Sequence, residues 1–526
     1  MQEMINKTRA LRTLMQSDPH RPIYHFVAPE GHAFPFDPNG AIYWKGKYHL
    51  GFIYQKLRSE PITLPGTDYV EKFEHVWGHA VSTDLLHWTL YPDMLDVKEG
   101  DIEIGIYSGG AFLSKEGIPH IIYHGQGAHV NMLAYSTDDD LKVWNKFDGN
   151  PVLKTPDVKG GPFDASAEYV AWDPEAWYDK KAGVYYQISG GLKPVLFKSK
   201  DMYKWDYLGD LIDKDNTMRH PFEDVSCPDF FSLGDKSMLL FISHSLGTQY
   251  YIGEFSEDKF TPEQHGRMNW PGGTFFAPEQ LQDDKGRNII WGWVVQPREL
   301  EKVFNEGKES PYPDYGWSGI MSLPRVVSLD SQGTLQITPP EEMKTIRLNE
   351  VREDDIVLQP NKESLLKANG KSIELKLEIA GGGRSAFGVK VFASPDGREE
   401  TIIRYEPAQE QLVIDFVNSS INGPVFIPGF ILNPTRNDSF NGSFEQFDKN
   451  VSEQRAPLKL KKNETLKLDI FLDRSVIEVF ANGRQVVTQV VYPELKTSTA
   501  VKVFSGAEKI TVKNIQSWKM AETNAY

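Results

Sequence analysis

One recurring pattern constrains the fold more than anything else in the chain: a Ser-x-Asp tripeptide that follows a strand-like run and precedes a Trp. It reads Ser82-Thr83-Asp84 to Trp88, Ser136-Thr137-Asp138 to Trp144 and Ser199-Lys200-Asp201 to Trp205, with a looser relative at Ser256-Glu257-Asp258. The serines recur at intervals of roughly 54 to 63 residues. Ser-x-Asp alone is ordinary turn chemistry, because both side chains can bond the backbone that follows. Its return with a downstream Trp makes coincidence the weaker explanation. Units of this length, each reading strand, polar turn, strand, are the signature of a β-propeller built from four-stranded blades. The stretch 21–337 would hold five.

The rest of the chain agrees. Short β-type segments punctuated by Gly, Pro, Asn and Asp fill it, among them Tyr48 to Gln55, His120 to His124, Val184 to Ser189 and Ser237 to Ser243. Long amphipathic helices are nearly absent, so the expected class is all-β. Residues 1–20 read as a polar, mildly helical N-terminal extension. Thr338-Pro339-Pro340-Glu341 has the form of a capping box, which predicts a linker helix from Glu341 to about Leu348 within a linker at 338–350. Beyond it, over 351–526, the pattern changes to period-2 alternation. Ile373, Leu375, Leu377 and Ile379 share one face, as do Leu466, Leu468, Ile470 and Leu472. Asn482-Gly483 between two β-type runs is a type I′ hairpin signal. These features predict a β-sandwich, with a polar loop from Asn433 to Pro457.

At 526 residues the chain exceeds a single ordinary core. Its formal net charge of −16 argues against a nucleic-acid or anionic-membrane binder, which needs a basic footprint. The lone Cys227 excludes an internal disulfide and a Cys-rich zinc site. No apolar h-region opens the chain and no apolar run reaches membrane-spanning length, so the sequence as it stands reads as cytoplasmic. Removal of a leader would make it secreted or periplasmic. Oligomeric state leaves no mark here.

The chemistry-bearing motifs reduce to carboxylates. There is no Walker loop, no dinucleotide fingerprint and no His-Glu-x-x-His. His120 and His124 read as strand residues, and Cys227, with no close His, reads as core. Asp37 lies in Phe36-Asp37-Pro38-Asn39-Gly40, at the entrance to the first blade strand. Asp173 lies in Trp172-Asp173-Pro174, and Glu223 in Phe222-Glu223-Asp224-Val225-Ser226-Cys227-Pro228-Asp229. Singly, each is an ordinary turn former. Their wide spacing puts them on different blades, whose innermost strands face one central channel.

These motifs bring the chain to a resemblance. Arg21-Pro22-Ile23-Tyr24-His25-Phe26, then Asp37-Pro38-Asn39-Gly40 and Tyr48-His49-Leu50, resemble the opening of glycoside hydrolase family 32, the invertases, inulinases, levanases and related fructosyltransferases. Trp77-Gly78-His79-Ala80-Val81-Ser82-Thr83-Asp84 through Trp88, Tyr107-Ser108-Gly109-Gly110, Trp172-Asp173-Pro174 and Cys227-Pro228-Asp229-Phe230-Phe231 resemble its later elements. Phe276-Ala277-Pro278-Glu279, Gly316-Trp317-Ser318-Gly319 through Leu323-Pro324-Arg325, and Phe471-Leu472-Asp473-Arg474-Ser475 with Glu478-Val479-Phe480-Ala481-Asn482 complete the series, over about 21–518.

The resemblance implies a five-bladed propeller followed by a β-sandwich, and a retaining β-fructofuranosidase acting on sucrose or fructan ends. Asp37 would be the nucleophile, Glu223 the acid/base and Asp173 the stabiliser of an oxocarbenium-like transition state. Asn39, Gln55, Ser108 and Asp224 are expected at the sugar, with Glu279. The aromatic residues Trp77, Trp172 and Trp293 are expected there too; Trp77, Trp291 and Trp293 read as sugar platforms or, at least as readily, as blade-packing tryptophans. A wall of Phe34, Phe36, Trp172 and Phe222 could raise the pKa of the acid. The implied partner is a small sugar or oligosaccharide, and no metal or organic cofactor is implied. A transferase, a hydrolase of another furanoside and a non-catalytic sugar-binding propeller are the alternatives. Three departures surround the sugar site. Phe34-Pro35-Phe36 stands where the family usually has Trp-Met-Asn, Trp172 stands for its Arg, and Ser226 stands where its acid Glu directly precedes the Cys. On a strand, Glu223 and Asp224 would face opposite ways; Glu223, of the family's residue type and longer reach, is the expected acid and Asp224 the alternative.

Overall fold

A computed structural model describes residues 1–29, 32–63, 70–156, 167–213, 215–220, 223–244, 246–304, 312–426 and 451–524. The chain is all-β apart from short helices. After helix Gln2–Ser17, the described strands as far as Leu335–Thr338 form sheets of antiparallel meanders in chain order. The first runs Ala33–Trp44, Lys47–Thr63, Val70–Ser82, Trp88–Leu95. Four further sheets begin at Ile106–Leu113, Pro174–Asp179, Ser226–Leu233 and Phe275–Gln282.

The first strand of each sheet meets the first strand of the next, and Phe275–Gln282 returns to Ala33–Trp44, which closes a ring. Between neighbouring sheets lie apolar layers. Tyr186, Ile188 and Leu196 of the third sheet, for example, pack against Phe230, Leu239 and Tyr251 of the fourth. Each fully buried side chain of this size is worth about 1.5–3 kcal/mol, and these layers hold the ring.

The Ser-x-Asp pattern marks the corner between the third and fourth strands of successive sheets. Ser82 and Ser199 end third strands, and Ser136 follows one. In each, the Asp N–H donates to the Ser Oγ, at 3.1, 3.2 and 3.2 Å. A buried apolar residue then adopts positive φ: Leu85 at 69°, Leu141 at 54° and Met202 at 62°. The fourth copy is a tighter hairpin in which Ser256 pairs with Lys259 and Glu257 and Asp258 have φ of 52° and 60°.

The linker differs from expectation. Thr338 ends a strand rather than capping a helix, and the helix is a 3-10 turn, Glu341–Ile346, preceded by Pro340 with no side-chain cap. Strand Arg347–Glu353 already pairs with the C-terminal strand Ile510–Met520, so sandwich pairing begins at 347 rather than 351. The two final sheets enclose a core in which Ile373, Leu375, Leu377 and Ile379 meet Val389, Ile403, Leu412 and Val503. Leu466, Leu468, Ile470 and Leu472 join them. Asn482 and Gly483 take φ of 52° and 64°, as a type I′ turn requires. The expected loop from Asn433 lies largely outside the described residues, and its end, Glu453–Pro457, is a strand.

The sheet ring and the sandwich are joined by a buried ionic lock. Asp473 accepts the backbone N–H groups of Ile23, Tyr24 and His25, each at 2.9 Å, and the His25 Nδ1 at 2.9 Å. Glu478 accepts Arg325 Nη2 at 3.0 Å and the Leu323 N–H at 2.8 Å, and its Oε1 lies 3.3 Å from His25 Nε2. Among the described residues, no helix is long and apolar enough to cross a membrane.

Candidate active site

The site is built from one device repeated on the innermost strands. A Pro stands near the start of four of them (Pro38, Pro174, Pro228, Pro278), preceded by Asp37, Asp173, Cys227 and Ala277; the second sheet carries Ser108-Gly109 instead. Proline has no N–H to give a ladder, so it is tolerated at a bulge or at a strand's first residue. The ladder indeed shifts between Phe36 and Pro38, Ile106 and Gly109, Ser226 and Asp229, and Phe276 and Pro278. Asp37, Cys227 and Ala277 have φ of 26°, 46° and 42°. Such strain in non-glycine residues costs on the order of 1 kcal/mol or more and re-aims a side chain. Asp37 is therefore inside its strand, at a bulge, and not at the strand entrance.

The bulges of three of these strands and the Asp173-Pro174 start of a fourth bring four sheets to one point. The Cys227 Sγ lies 3.2 Å from Ser108 Oγ, 3.8 Å from Asp173 Oδ2 and 3.9 Å from Asp37 Oδ2. The Cys227 N–H donates to Asp173 Oδ2 at 3.0 Å. Cys227, expected to be core, instead sits among the carboxylates. Burial and the two neighbouring charges push its thiol well up, so it stays protonated. Asp37 is pushed up to about 7, chiefly by loss of solvation and then by the charge of Asp173. Asp173 rises to about 6 by desolvation, opposed by the Cys227 N–H.

The expected acid and its neighbour diverge. Both Glu223 carboxylate oxygens accept the Tyr251 hydroxyl, at 2.9 and 3.0 Å, within the layer between the third and fourth sheets. Arg219 Nε is 3.9 Å away and His265 Nε2 4.0 Å. Burial pushes Glu223 up to about 7. Asp224, fully buried, turns the other way: Oδ1 accepts Ser243 Oγ and the His244 N–H, both at 2.9 Å, and Oδ2 is 2.6 Å from His244 Nδ1. The charge of Asp224 raises Asp173, and that of His244 lowers both Asp37 and Asp173. Ser226 accepts the Trp172 indole N–H at 3.1 Å.

The remaining expected residues divide. Asn39 donates to the Asp37 carbonyl at 2.7 Å and accepts the Gly109 N–H at 2.9 Å, bracing the bulge of the nucleophile candidate. Glu279 accepts the Ala41 N–H at 2.6 Å. With Glu175 and Asp229 it forms a buried acidic tier, its carboxyl held well above the usual range by burial and those neighbours. Ser108 is at the thiol, and the Gln55 amide is 3.3 Å from His75 Nε2. Trp172 is half-buried, its ring centroid 4.5 Å from that of His124. Trp77 and Trp291 are fully buried, so they are packing residues and not sugar platforms; the Trp77 indole donates to the Tyr107 carbonyl at 3.1 Å. Trp293 is 8% exposed and supports Phe34 and Phe36, with ring centroids 6.0 and 5.9 Å away. Phe222 lies outside the described residues.

Tyr251, Ser226 and His244 were not anticipated. A signal existed for His244: the Gly234-Asp235 turn pairs Ser226 with Ile242, which puts Ser243 and His244 beside the start of the inner strand.

Comparison with known proteins settles the family. The profile described as "Glycosyl hydrolases family 32 N-terminal domain" matches residues 25–339, and "Glycosyl hydrolases family 32 C terminal" matches 342–519. A levanase of Bacillus subtilis (strain 168) is 27% identical over 94% of this chain and 70% of its own length. A fructan 6-exohydrolase of Beta vulgaris is 27% identical over 96% and 87%. The crystal structure of fructan 1-exohydrolase IIa from Cichorium intybus superposes with a TM-score of 0.75 at 22% identity, covering 96% of this chain and 98% of that one, which speaks to the fold. Profiles over both halves and relatives over nearly the whole chain lead to one conclusion: this protein belongs to glycosyl hydrolase family 32 and is a hydrolase of that family.

Proposed function

We propose that this chain releases terminal β-fructofuranosyl units from sucrose or fructans by double displacement, on a five-bladed propeller followed by a β-sandwich. Five inner strands meeting in a closed ring support the blade count. The observation that carries the chemistry is the delivery of Asp37 and Asp173, from separate sheets, to one thiol. Relatives named levanase and fructan 6-exohydrolase supply the substrate class.

In this reading Asp37 attacks the anomeric carbon and Asp173 supports the positive charge that develops on the ring. Ionised Asp37 is a better nucleophile for being poorly solvated, and Asp173 beside it keeps the site negative towards a cationic transition state. Asn39 positions Asp37 through its backbone rather than touching sugar. The half-buried Trp172, Phe34 and Phe36 offer apolar surface to the substrate. Glu223, pushed up to about 7 by burial and bonded by the Tyr251 hydroxyl, is the proton donor of this reading, with Asp224 as the alternative.

The test is product analysis with sucrose, inulin, levan and nitrophenyl β-fructofuranoside, resolved by chromatography. Free fructose from at least one of them supports the reading. Transfer products alone move the chain to the transferases, and no turnover of any overturns the reading.

A further inference from the structure

Double displacement needs a proton donor held in register with the nucleophile and the charge-stabilising carboxylate, and an error of about 1 Å in such a constellation costs on the order of a hundredfold. Both donor candidates, Glu223 and Asp224, stand on the short segment that leads into the inner strand Ser226–Leu233. Their side chains do not set that register. Glu223 is held by Tyr251 and Asp224 by Ser243 and His244, all on or beside the fourth sheet's own strands.

The tie across to Asp173 is made by backbone. The second and third strands of the third sheet, Val184–Ser189 and Val195–Ser199, are joined by residues 190–194. Ser189 pairs with Pro174, so this loop starts beside Asp173. The Gly190 N–H donates to the Asp173 carbonyl at 3.0 Å. Gly191 exchanges both backbone hydrogen bonds with Val225, at 2.7 and 2.8 Å, as an isolated bridge between the third and fourth sheets. Two residues on, the Cys227 N–H returns to Asp173 Oδ2 at 3.0 Å. The bonds close a circuit from Asp173 to Gly190, from Gly191 to Val225, and from Cys227 back to Asp173. Arg219 clasps the same loop, because its Nη2 donates to the Leu192 carbonyl and, at 3.3 Å, to the Glu223 carbonyl.

The loop has the residues this approach demands. Gly191 has φ of 115°, a conformation that any side chain strains. A Cβ on Gly190 would run into the Val225 carbonyl oxygen, a backbone atom, and stand 3.5 Å from the carbonyl oxygen of Asp173. Glycine here admits a second backbone at close range.

We propose that Gly190, Gly191 and Arg219 are positioning residues that register the proton-donating segment against Asp173. They act through the backbone of Val225 and Glu223, which carries the donor carboxyl, and they touch no substrate.

The inference deepens the fructofuranosidase reading and rests on it, donor segment included. The experiment measures kcat and KM of wild type, Gly190→Ala and Arg219→Lys on sucrose and on nitrophenyl β-fructofuranoside, whose leaving group needs no proton. Arg219→Lys keeps the charge beside Glu223 but loses the fork that spans two carbonyls, and it carries the test if Gly190→Ala does not fold. The expected result is a kcat on sucrose lowered about ten- to a hundredfold at little change in KM, against less than about a threefold loss on the nitrophenyl substrate. Each substitution is then combined with Glu223→Gln and with Asp224→Asn. In whichever of these two itself loses sucrose far more than the nitrophenyl substrate, the proton is already gone. There the added substitution should lower sucrose turnover by less than about a further twofold. Equal losses on both substrates in folded variants, or losses that multiply in full with the donor substitution, overturn the inference in favour of a merely structural loop. Unchanged turnover in both variants overturns it outright. A wild type inactive on every fructofuranoside, or no leaving-group dependence in either Glu223→Gln or Asp224→Asn, overturns the reading beneath it, and the inference falls with that reading by a distinguishable route.

Discussion

Replacing Asp173 by Asn should do two separable things: slow the reaction and shift the acid limb of its pH profile downwards. Asp37 must be ionised to attack, so activity on the proposed reading falls as pH drops through its pKa, pushed up to about 7. Desolvation is the first cause and the charge of Asp173 the second. Both carboxylates touch the Cys227 thiol, at 3.9 and 3.8 Å, so the two oxygens lie no farther apart than those distances laid end to end. At about 7 Å and an effective dielectric of about 20, two like charges repel by roughly 2 kcal/mol, or about 1–2 pKa units. Removing one charge relieves the other, so Asp37 stays ionised to lower pH by roughly that amount. The desolvation contribution remains, so the limb should stop short of an ordinary aspartate. The assay is kcat/KM against pH on nitrophenyl β-fructofuranoside, which isolates the nucleophile from the proton donor. A folded Asp173→Asn enzyme whose acid limb stays put, or moves up, refutes the coupling of these two carboxylates.

Asp37→Ala should abolish turnover of every fructofuranoside while the circular dichroism spectrum is unchanged; near-wild-type activity in the folded variant removes Asp37 from the mechanism. Time-resolved NMR should show β-fructofuranose as the first-formed sugar, and the α anomer appearing first would indicate single displacement. Activity should survive EDTA, since no proposed role uses a metal, and a metal-reversible loss would count against those roles. Burial opposes a charge on His25, but hydrogen bonds to Asp473 and Glu478 overcome it and raise its pKa to about 9. Its stabilisation is therefore fully present below the unfolded value of 6.5 and lost as pH rises through about 9, by up to about 3 kcal/mol, readable as a falling urea midpoint. Arg325→Met should cost about 3–5 kcal/mol, because it leaves Glu478 buried and short of a partner.

The fold was legible because its signals are local. A Ser-x-Asp corner is set by bonds between neighbours, so Ser82, Ser136 and Ser199 mark the same corner wherever the sheets go. Alternation at Ile373 to Ile379 encodes one buried face without reference to the partner sheet. The linker failed for the same reason read backwards. Thr338 has the right neighbours for a cap, but pairing with Val326 keeps it in a strand, and long-range pairing overrides a local preference. Trp77 and Trp291 were open between packing and platform because a tryptophan's flat face reads alike in a core and beside a sugar, and their burial separates the two in favour of packing.

The site was legible wherever its residues are held by the bulge device, and illegible where they are held across strands. Asp-Pro in Asp37-Pro38 and Asp173-Pro174 is written in sequence, as is Cys-Pro in Cys227-Pro228, and all three side chains arrive at one point. That Cys227 shares this frame was the clue to its place, obscured by reading a lone cysteine as core. Asp224 and His244 are 20 residues apart and meet only because Ser226 pairs with Ile242. The residues preceding Cys227 point to Glu223, the longer carboxylate, while the imidazole that meets Asp224 is delivered by the next strand. The Glu223 carboxyl is held by Tyr251 in the layer between two sheets and Asp224 by Ser243 and His244, contacts made across strands that no local pattern in the segment announces. Ser226 accepts the indole N–H of Trp172, so two of the three departures from the family pattern touch each other across two sheets, a contact that neither local motif announces.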